Sequence, residues 1–153
     1  MICRPGVVPR SLLPEIPMSN ENRPITAAVI PEESRLEALP QAFGLAGLWV
    51  ESMTYGFMRN IDPTYTGGYW DFFNLSNNGF YMAIQNGKPQ RISTPNGYEA
   101  QVSADAAGII ASLYALGNLA NRTEKDLFIE KYHQLMDYAR THPERGEILA
   151  AVD

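Results

Sequence analysis

A period of two residues governs the middle of the chain, between residues 69 and 102, and it strongly limits what the chain can fold into. Aromatic and aliphatic side chains recur there at every second position, as they do in strands with two distinct faces. Three turn sequences interrupt the pattern, at residues 76–79, 86–89 and 95–97, and each contains an Asn-Gly pair. Such pairs tolerate the positive φ angles of tight hairpins. We therefore predict four strands joined by short turns, an antiparallel meander.

Helical patterns precede the predicted meander. Residues 31–39 begin with a proline followed by acids, which suits the first turn of a helix. Residues 45–61 repeat apolar side chains at helical spacing, beginning with Leu45, Leu48 and Trp49. Two helices are therefore expected before the first strand.

Three further helices are predicted after the meander, over residues 104–121, 123–141 and 144–152. The first of them is rich in alanine and contains glycines, so it can approach the sheet closely and should be the central helix. The predicted fold class is α+β, a single domain in which a four-stranded antiparallel meander packs against several helices.

The amino-terminal residues are interpreted as a tail. Four prolines within the first 17 residues interrupt any helix or strand there. Met18 precedes a polar stretch, and we take as a hypothesis that it is the natural start of the protein. The expected organisation is a disordered or loosely ordered tail over residues 1–24 and one folded domain over residues 25–153.

Charge and cysteine content exclude several classes of function. The 153 residues include 12 Lys or Arg and 17 Asp or Glu, which gives a net charge of −5. Strong nucleic-acid binding through a basic patch is not expected, and the charge is too small for a polyanion that imitates DNA. The one cysteine, Cys3, excludes internal disulfides and fits a reducing compartment, so a cytoplasmic protein is expected. No apolar run is long enough to span a membrane.

Candidate catalytic and metal-binding groups are few. His133 and His142 are nine positions apart, whereas metal-binding pairs on a helix are usually four apart, so we expect neither a metal nor a cofactor. Ser103 and Asp105 fit the cap and first turn of a helix better than they fit a hydrolase, because no nucleophile motif surrounds the serine. No catalytic residue is predicted.

Asp71 is the carboxylate whose position requires an explanation. It lies between Trp70 and Phe72, where a charge must either face solvent or find a partner. An arginine such as Arg59 or Arg91 would provide that partner. An acid beside aromatic side chains could also belong to a small hydrolase or a saccharide-binding protein, and this alternative stays open.

Many short stretches carry a resemblance to one known family. They lie at residues 31–36, 39–40, 43–44, 51–52, 55, 58–59, 65–70, 75–83, 96–99, 102–109, 132–133, 138–139, 142–144 and 151–153. The most specific is Asn96-Gly97-Tyr98-Glu99 followed by the stretch from Val102. Because these motifs run in order from about residue 26 to residue 153, the chain closely resembles the ArdB/KlcA antirestriction family.

The resemblance implies a function as well as an α+β fold of the family's own. Such proteins are carried by plasmids and other mobile elements, and they protect incoming DNA from type I restriction–modification enzymes of the new host. They are neither nucleases nor acidic mimics of DNA. The expected partner is therefore a type I enzyme or its pathway, reached directly or indirectly. Gln41 and Ala42 replace a basic residue and a histidine of many relatives, so a partner that touches this loop would differ in identity or affinity.

A contact surface for that partner is predicted on the first helix, the first hairpin turn and one face of the aromatic strands. Exposed aromatic side chains often mark such surfaces, although loops or the tail could instead cover them. The same face could serve a homodimer. The predicted partner-binding residues are Glu32, Glu33, Tyr69, Trp70, Asp71, Asn77, Asn78 and Tyr81.

Overall fold

The computed structural model describes residues 23–85 and 87–153. The tail prediction for residues 1–22, the hypothesis on Met18 and the comment on Cys3 lie outside these described residues. Five strands and five α-helices form within them. In chain order they are β1 (Ala27–Val29), α1 (Arg35–Phe43), α2 (Gly47–Ile61), β2 (Trp70–Leu75), β3 (Phe80–Ile84), β4 (Gln90–Ser93), β5 (Glu99–Val102), α3 (Ala104–Thr123), α4 (Asp126–Ala139) and α5 (Arg145–Val152).

The first hairpin of the predicted meander is present. β2 and β3 pair in antiparallel fashion, with Phe73 opposite Tyr81. The turn between them places Asn78 at φ 71°, the left-handed conformation that asparagine tolerates. β1 adds to the other side of β2, a strand that the sequence pattern does not predict.

The prediction of a single four-stranded meander is wrong in its second half, because the third and fourth predicted strands do not continue the first sheet. β4 and β5 pair only with each other, as a separate two-stranded sheet. The reason is that α3 occupies the edge of β3 on which β4 would have paired. The Met82 amide donates to Ser112 Oγ of α3 over 3.1 Å, where a meander would place a strand. Gly108 permits this approach, since a Cβ at that position would lie 2.3 Å from the Met82 carbonyl oxygen.

The expectation that α3 is the central helix is confirmed. Twelve of its 20 residues are buried, and it packs against α2, α4, α5 and β3. Ser103 caps it by accepting a hydrogen bond from the Ala106 amide, as predicted. The fold is therefore α+β, built around a buried helix and two small antiparallel sheets.

The predicted second helix is present as α2, but the first part of the apolar spacing that indicates it is exposed. Leu45, in the turn before α2, and Leu48 point to solvent, with exposed fractions of 100% and 75%. Further along the same spacing, Met53 and Phe57 are partly buried and pack against the core. The fully buried face of α2 carries other residues, among them Val50, Thr54 and Met58.

Candidate functional site

The structure separates the eight predicted contact residues into three groups. One group gathers around the start of α1 and of β2, a second lies in the hairpin turn, and a third is buried. In that order the groups are Glu32, Glu33, Tyr69 and Asp71; Asn77 and Asn78; Trp70 and Tyr81.

Arg35, at the first position of α1, organises the first group. Its Nη2 lies 2.7 Å from Asp71 Oδ1, and its Cζ lies 4.5 Å from the centroid of the Tyr69 ring. The Tyr69 hydroxyl donates to Glu32 Oε1 over 2.6 Å. We call Glu32, Arg35, Tyr69 and Asp71 the Arg35 cluster. It joins the turn before α1 to the beginning of β2.

The ion pair in the Arg35 cluster explains the acid in the aromatic strand. Asp71 meets Arg35, rather than Arg59 or Arg91 as the sequence suggested. The two side chains are 20% and 16% exposed, so the pair is partly shielded from water. Because the guanidinium also lies 5.5 Å from the Phe72 ring centroid, the charge is stabilised by a carboxylate and by aromatic faces together.

Tyr69 and Glu32 are the accessible members of the Arg35 cluster. Tyr69 is 51% exposed, and Glu33, the residue after Glu32, is also exposed. The hydrogen bond to Glu32 raises the pKa of the Tyr69 phenol above its ordinary value, so the hydroxyl stays protonated and continues to donate. This corner presents an aromatic ring and carboxylates to solvent.

The hairpin turn is fixed against α4. The Asn77 side-chain amide donates to the Gln134 carbonyl over 2.9 Å, and its Oδ1 accepts from the Gly79 amide. Lys131 Nζ donates to the Asn78 carbonyl over 2.6 Å. Asn77 is therefore a structural residue of the turn, while the Asn78 side chain is exposed.

Trp70 and Tyr81 are not available to a partner, since 4% and 1% of their surfaces are exposed. Trp70 Nε1 donates to the Tyr65 hydroxyl over 2.9 Å. Tyr81 lies between two aromatic neighbours, stacked on Phe73 at 4.5 Å and facing Tyr138 at 5.8 Å. The carboxyl end of α4 covers this face of the sheet, so of the predicted aromatic surface only the Tyr69 corner is exposed.

A partly buried polar network that sequence reasoning did not predict includes Tyr81. The Tyr81 hydroxyl donates to Asp105 Oδ1 over 2.7 Å, and His142 Nε2 lies 2.8 Å from Asp105 Oδ2. Burial raises the pKa of Asp105, but the hydrogen bonds from His142 and Tyr81 outweigh burial and hold that pKa below its ordinary value. Burial and the nearby Asp105 carboxylate raise the pKa of Tyr81. The carboxylate and phenol are thus fixed as acceptor and donor.

The histidine of this network has no free ring nitrogen. The Glu144 amide donates to His142 Nδ1 over 3.0 Å, so Nδ1 carries a lone pair and Nε2 carries the proton that Asp105 accepts. Ser103 does not contact the imidazole; its hydroxyl and amide both donate to the Glu144 carboxylate. A serine, a histidine and an aspartate are therefore close together but are not arranged as a nucleophile with its base.

An open cavity of about 350 Å³ lies between the Arg35 cluster and this network, lined by Asp71, Phe73, Lys88 and Asp105 among others. Both carboxylates already have partners.

In the part of the chain that the structure describes, no three His, Cys, Asp or Glu side chains are placed to hold a metal ion. No helix among the described residues could cross a membrane.

Comparison with known proteins gives consistent matches. The antirestriction protein family model matches residues 63–153. An Escherichia coli protein called antirestriction protein KlcA is 37% identical over 89% of this chain and 100% of its own length. A second KlcA from Escherichia coli is 41% identical over 85% of this chain and 94% of its own length.

A solved structure is also similar. It comes from the KlcA and ArdB proteins, which are described as having a novel fold and antirestriction activity against Type I DNA restriction systems in vivo but not in vitro. It aligns with a TM-score of 0.82 and 39% identity over 89% of this chain and 100% of that chain. The family model, the relatives and the solved structure agree, and the chain belongs to the antirestriction protein family.

Proposed function

We propose that this protein protects DNA arriving on a mobile element from type I restriction–modification enzymes, that it acts in the cytoplasm, and that it does so without catalysis. The observation that carries the proposal is the full-length similarity to KlcA and ArdB, with antirestriction activity described for those proteins against Type I systems. Activity in vivo but not in vitro, as described for them, favours a mechanism that needs a further component of the cell.

The distribution of charge supports a mechanism other than DNA mimicry. A mimic of duplex DNA needs rows of free carboxylates at the spacing of phosphates. Here Asp71 pairs with Arg35, Asp105 accepts from two side chains, and Glu144 binds Ser103. These three carboxylates are engaged in contacts within the fold and are not free to imitate phosphates.

A non-catalytic mechanism is supported by the state of the candidate groups. An active site requires a nucleophile with a base or a carboxylate able to exchange a proton, next to a well-formed pocket. His142 uses both ring nitrogens in structural hydrogen bonds, and Asp71 and Asp105 have partners. The alternative of a hydrolase or saccharide-binding protein at Asp71 has in its favour only the open cavity that Asp71 helps to line.

The test is restriction of unmodified phage in cells. Plating efficiency would be measured on a host with an active type I system and on a host with a type II system, each with and without the protein. Recovery on the type I host alone is expected. Failure to recover, with folded protein present in the cells, would contradict the proposed function. The Asp71→Asn variant should retain protection as long as it folds, whereas loss of protection in folded Asp71→Asn would favour the alternative.

The accessible residues of the predicted contact surface remain part of the proposal. These exposed residues, which could touch a partner, are Glu32, Glu33, Tyr69 and Asn78. Tyr69→Ala would remove the exposed ring, and a folded variant that protects as well as the wild type would exclude Tyr69 as a contact residue. Protection reduced without a change in melting temperature would support it.

A further inference from the structure

An apolar ridge projects at the beginning of α2, and none of the residues that the structure describes covers it. We define the ridge as Leu45, Leu48 and Trp49, whose exposed fractions are 100%, 75% and 59%. Leu48 and Trp49 lie in the first turn of α2, and Leu45 precedes them by three and four positions in the turn before the helix. Isolated exposed leucines are common, but three large apolar side chains side by side on one face often mark an interaction site.

The orientation of the ridge is fixed by the opposite face of α2. Met58 and Ile61 are fully buried there, and Thr54 is also buried, with its hydroxyl donating to the Val50 carbonyl. Gly47 touches α1 so closely that a Cβ on it would lie 2.8 Å from Leu39 Cβ. Rotation of α2 to bury the ridge would expose this core face, so the ridge is a stable surface of the folded chain.

The stretch of chain that carries the ridge is acidic. A lysine of α4, Lys131, lies 5.9 Å from the ring centroid of the nearby Phe43, but it donates to the Asn78 carbonyl. Residues 31–58 contain four acids and a single base, Arg35, which is engaged with Asp71. Glu33 and Glu37 on the preceding turns are exposed. The nearest base further along α2 is Arg59, ten residues beyond Trp49 and so about 15 Å along the helix. A partner for this surface therefore needs apolar side chains bordered by positive charge.

We infer that the ridge is the docking surface for another protein, one that presents an apolar stripe flanked by lysines or arginines. This inference rests on the proposed function and names the kind of cellular component through which protection is exerted. A second copy docked ridge to ridge would bring the two acidic borders together, and anionic lipid or nucleic acid would be repelled by the same carboxylates. A protein surface whose apolar side chains are bordered by lysines or arginines complements both the apolar ridge and the carboxylates near it.

The cellular test compares ridge variants with a matched control. The double variant Leu45→Gln with Leu48→Gln removes the exposed aliphatic side chains without touching the core. Ile129→Gln makes the same kind of change at another exposed aliphatic residue, on α4. The ridge variant should melt at the wild-type temperature and lose phage protection, while Ile129→Gln keeps both.

The outcomes of the cellular test separate the two proposals. If the wild type itself gives no protection, the proposed function fails. If the wild type and the folded ridge variant protect equally, the function stands and the docking inference is overturned. Charge reversal at Glu37 to lysine should reduce protection as well; full protection by the charge-reversed protein would overturn the assignment of a basic-bordered partner.

The test in solution uses peptides as probes and Trp49 as the reporter. A helical peptide with a leucine stripe bordered by lysines should shift the emission of the exposed Trp49 to shorter wavelength, and the same stripe bordered by glutamates should bind about tenfold more weakly or not at all. Trp49→Phe leaves Trp70, which is buried, and should abolish most of the shift. Binding of the lysine peptide should weaken as salt rises from about 0.05 M to about 0.3 M.

Three results in solution would overturn the inference. Equal binding of both peptides would indicate an unselective apolar surface. Concentration-dependent dimers in sedimentation experiments, abolished by the Leu45/Leu48 double change, would assign the ridge to a second copy of this chain. Binding to phosphatidylcholine vesicles that depends on Trp49, without binding to the lysine peptide, would assign it to a membrane.

Discussion

The Ser112 hydroxyl of α3 bonds to Met82 at the middle of β3, accepting from its amide over 3.1 Å and lying within donating distance of its carbonyl oxygen at 3.4 Å. The amide and the carbonyl of Met82 both point away from β2. A side chain of α3 therefore provides the hydrogen-bond partner that a neighbouring strand would otherwise provide. This contact explains why the sheet stops at β3, and it leads to the first prediction.

Ser112→Ala should destabilise the protein by about 1–3 kcal/mol, because the buried Met82 amide would lose its acceptor. Chemical unfolding would measure the change, and amide exchange at Met82 should become faster. Ser76→Ala is the control, since Ser76 accepts an exposed hydrogen bond from Thr26 and its loss should change stability by less than about 0.5 kcal/mol. Equal effects of the two changes would contradict the role given to Ser112.

Gly108→Ala should destabilise by about 1–3 kcal/mol or more. The added methyl group would lie 2.3 Å from the Met82 carbonyl oxygen and 2.5 Å from Ala83 Cα, so α3 must move away from β3. Gly56→Ala in α2 is the matched change, with no neighbouring atom within 4 Å, and should stabilise by up to about 1 kcal/mol. The melting temperatures of the two variants should therefore shift in opposite directions, and a shift in the same direction would argue against the close approach.

Asp105→Asn should lower the free energy of unfolding at neutral pH. It should also make that free energy depend less on pH in the acid range. The pKa of Asp105 is depressed in the folded protein, so its contribution is present above the ordinary carboxyl pKa of about 3.9 and is lost as pH falls through the folded value. An asparagine has one side-chain oxygen, so the two hydrogen bonds that Asp105 accepts from His142 and Tyr81 through separate oxygens could not both be kept as they are. The side chain is 38% exposed, so a loss of about 1 kcal/mol at pH 7 is expected.

Unfolding of wild type and Asp105→Asn at a series of pH values would check the sign. The difference between their unfolding free energies should shrink steadily below about pH 4. A difference that stays constant or grows in acid would show that the carboxylate is not held ionised by its two partners.

The pair of Arg35 and Asp71 should be coupled in a double-mutant cycle. Arg35→Met and Asp71→Asn should each destabilise by about 1–3 kcal/mol, because each leaves a partly shielded group without its partner. The double variant should lose less than the sum of the two. Strict additivity in chemical unfolding would indicate that the ion pair contributes nothing of its own.

Local patterns predicted much of the fold. The Asn-Gly turn and the aromatic alternation correctly indicate the β2–β3 hairpin, and the small residues of α3 correctly indicate a central helix. The strand order failed because nothing in residues 86–90 reveals that α3 already occupies the edge of β3. A strand as short as β1 has no periodic signal at all.

The candidate site was less predictable, because alternation identifies two faces of a strand without saying which is covered. All five residues of β3 are buried, so Tyr81 is lost as a contact residue, whereas Tyr69, which precedes β2, stays exposed. α2 raises the same difficulty, since Leu45 and Leu48 share one helical stripe while Val50 and Thr54 share another. Only the tertiary packing selects between them. The motif around His142 contributed to the family resemblance, but its hydrogen bonds depend on a residue 37 positions away.

The sealed edge of β3 has a consequence for how this protein can associate. Open strand edges recruit strands of other chains, both in peptide recognition and in amyloid growth. Ser112 and Gly108 place a helix where such a strand would add, and β1, on the opposite side of the sheet, is three residues long. The three-stranded sheet therefore offers little template for strand addition, and a partner that meets this sheet must be recognised mainly through side chains.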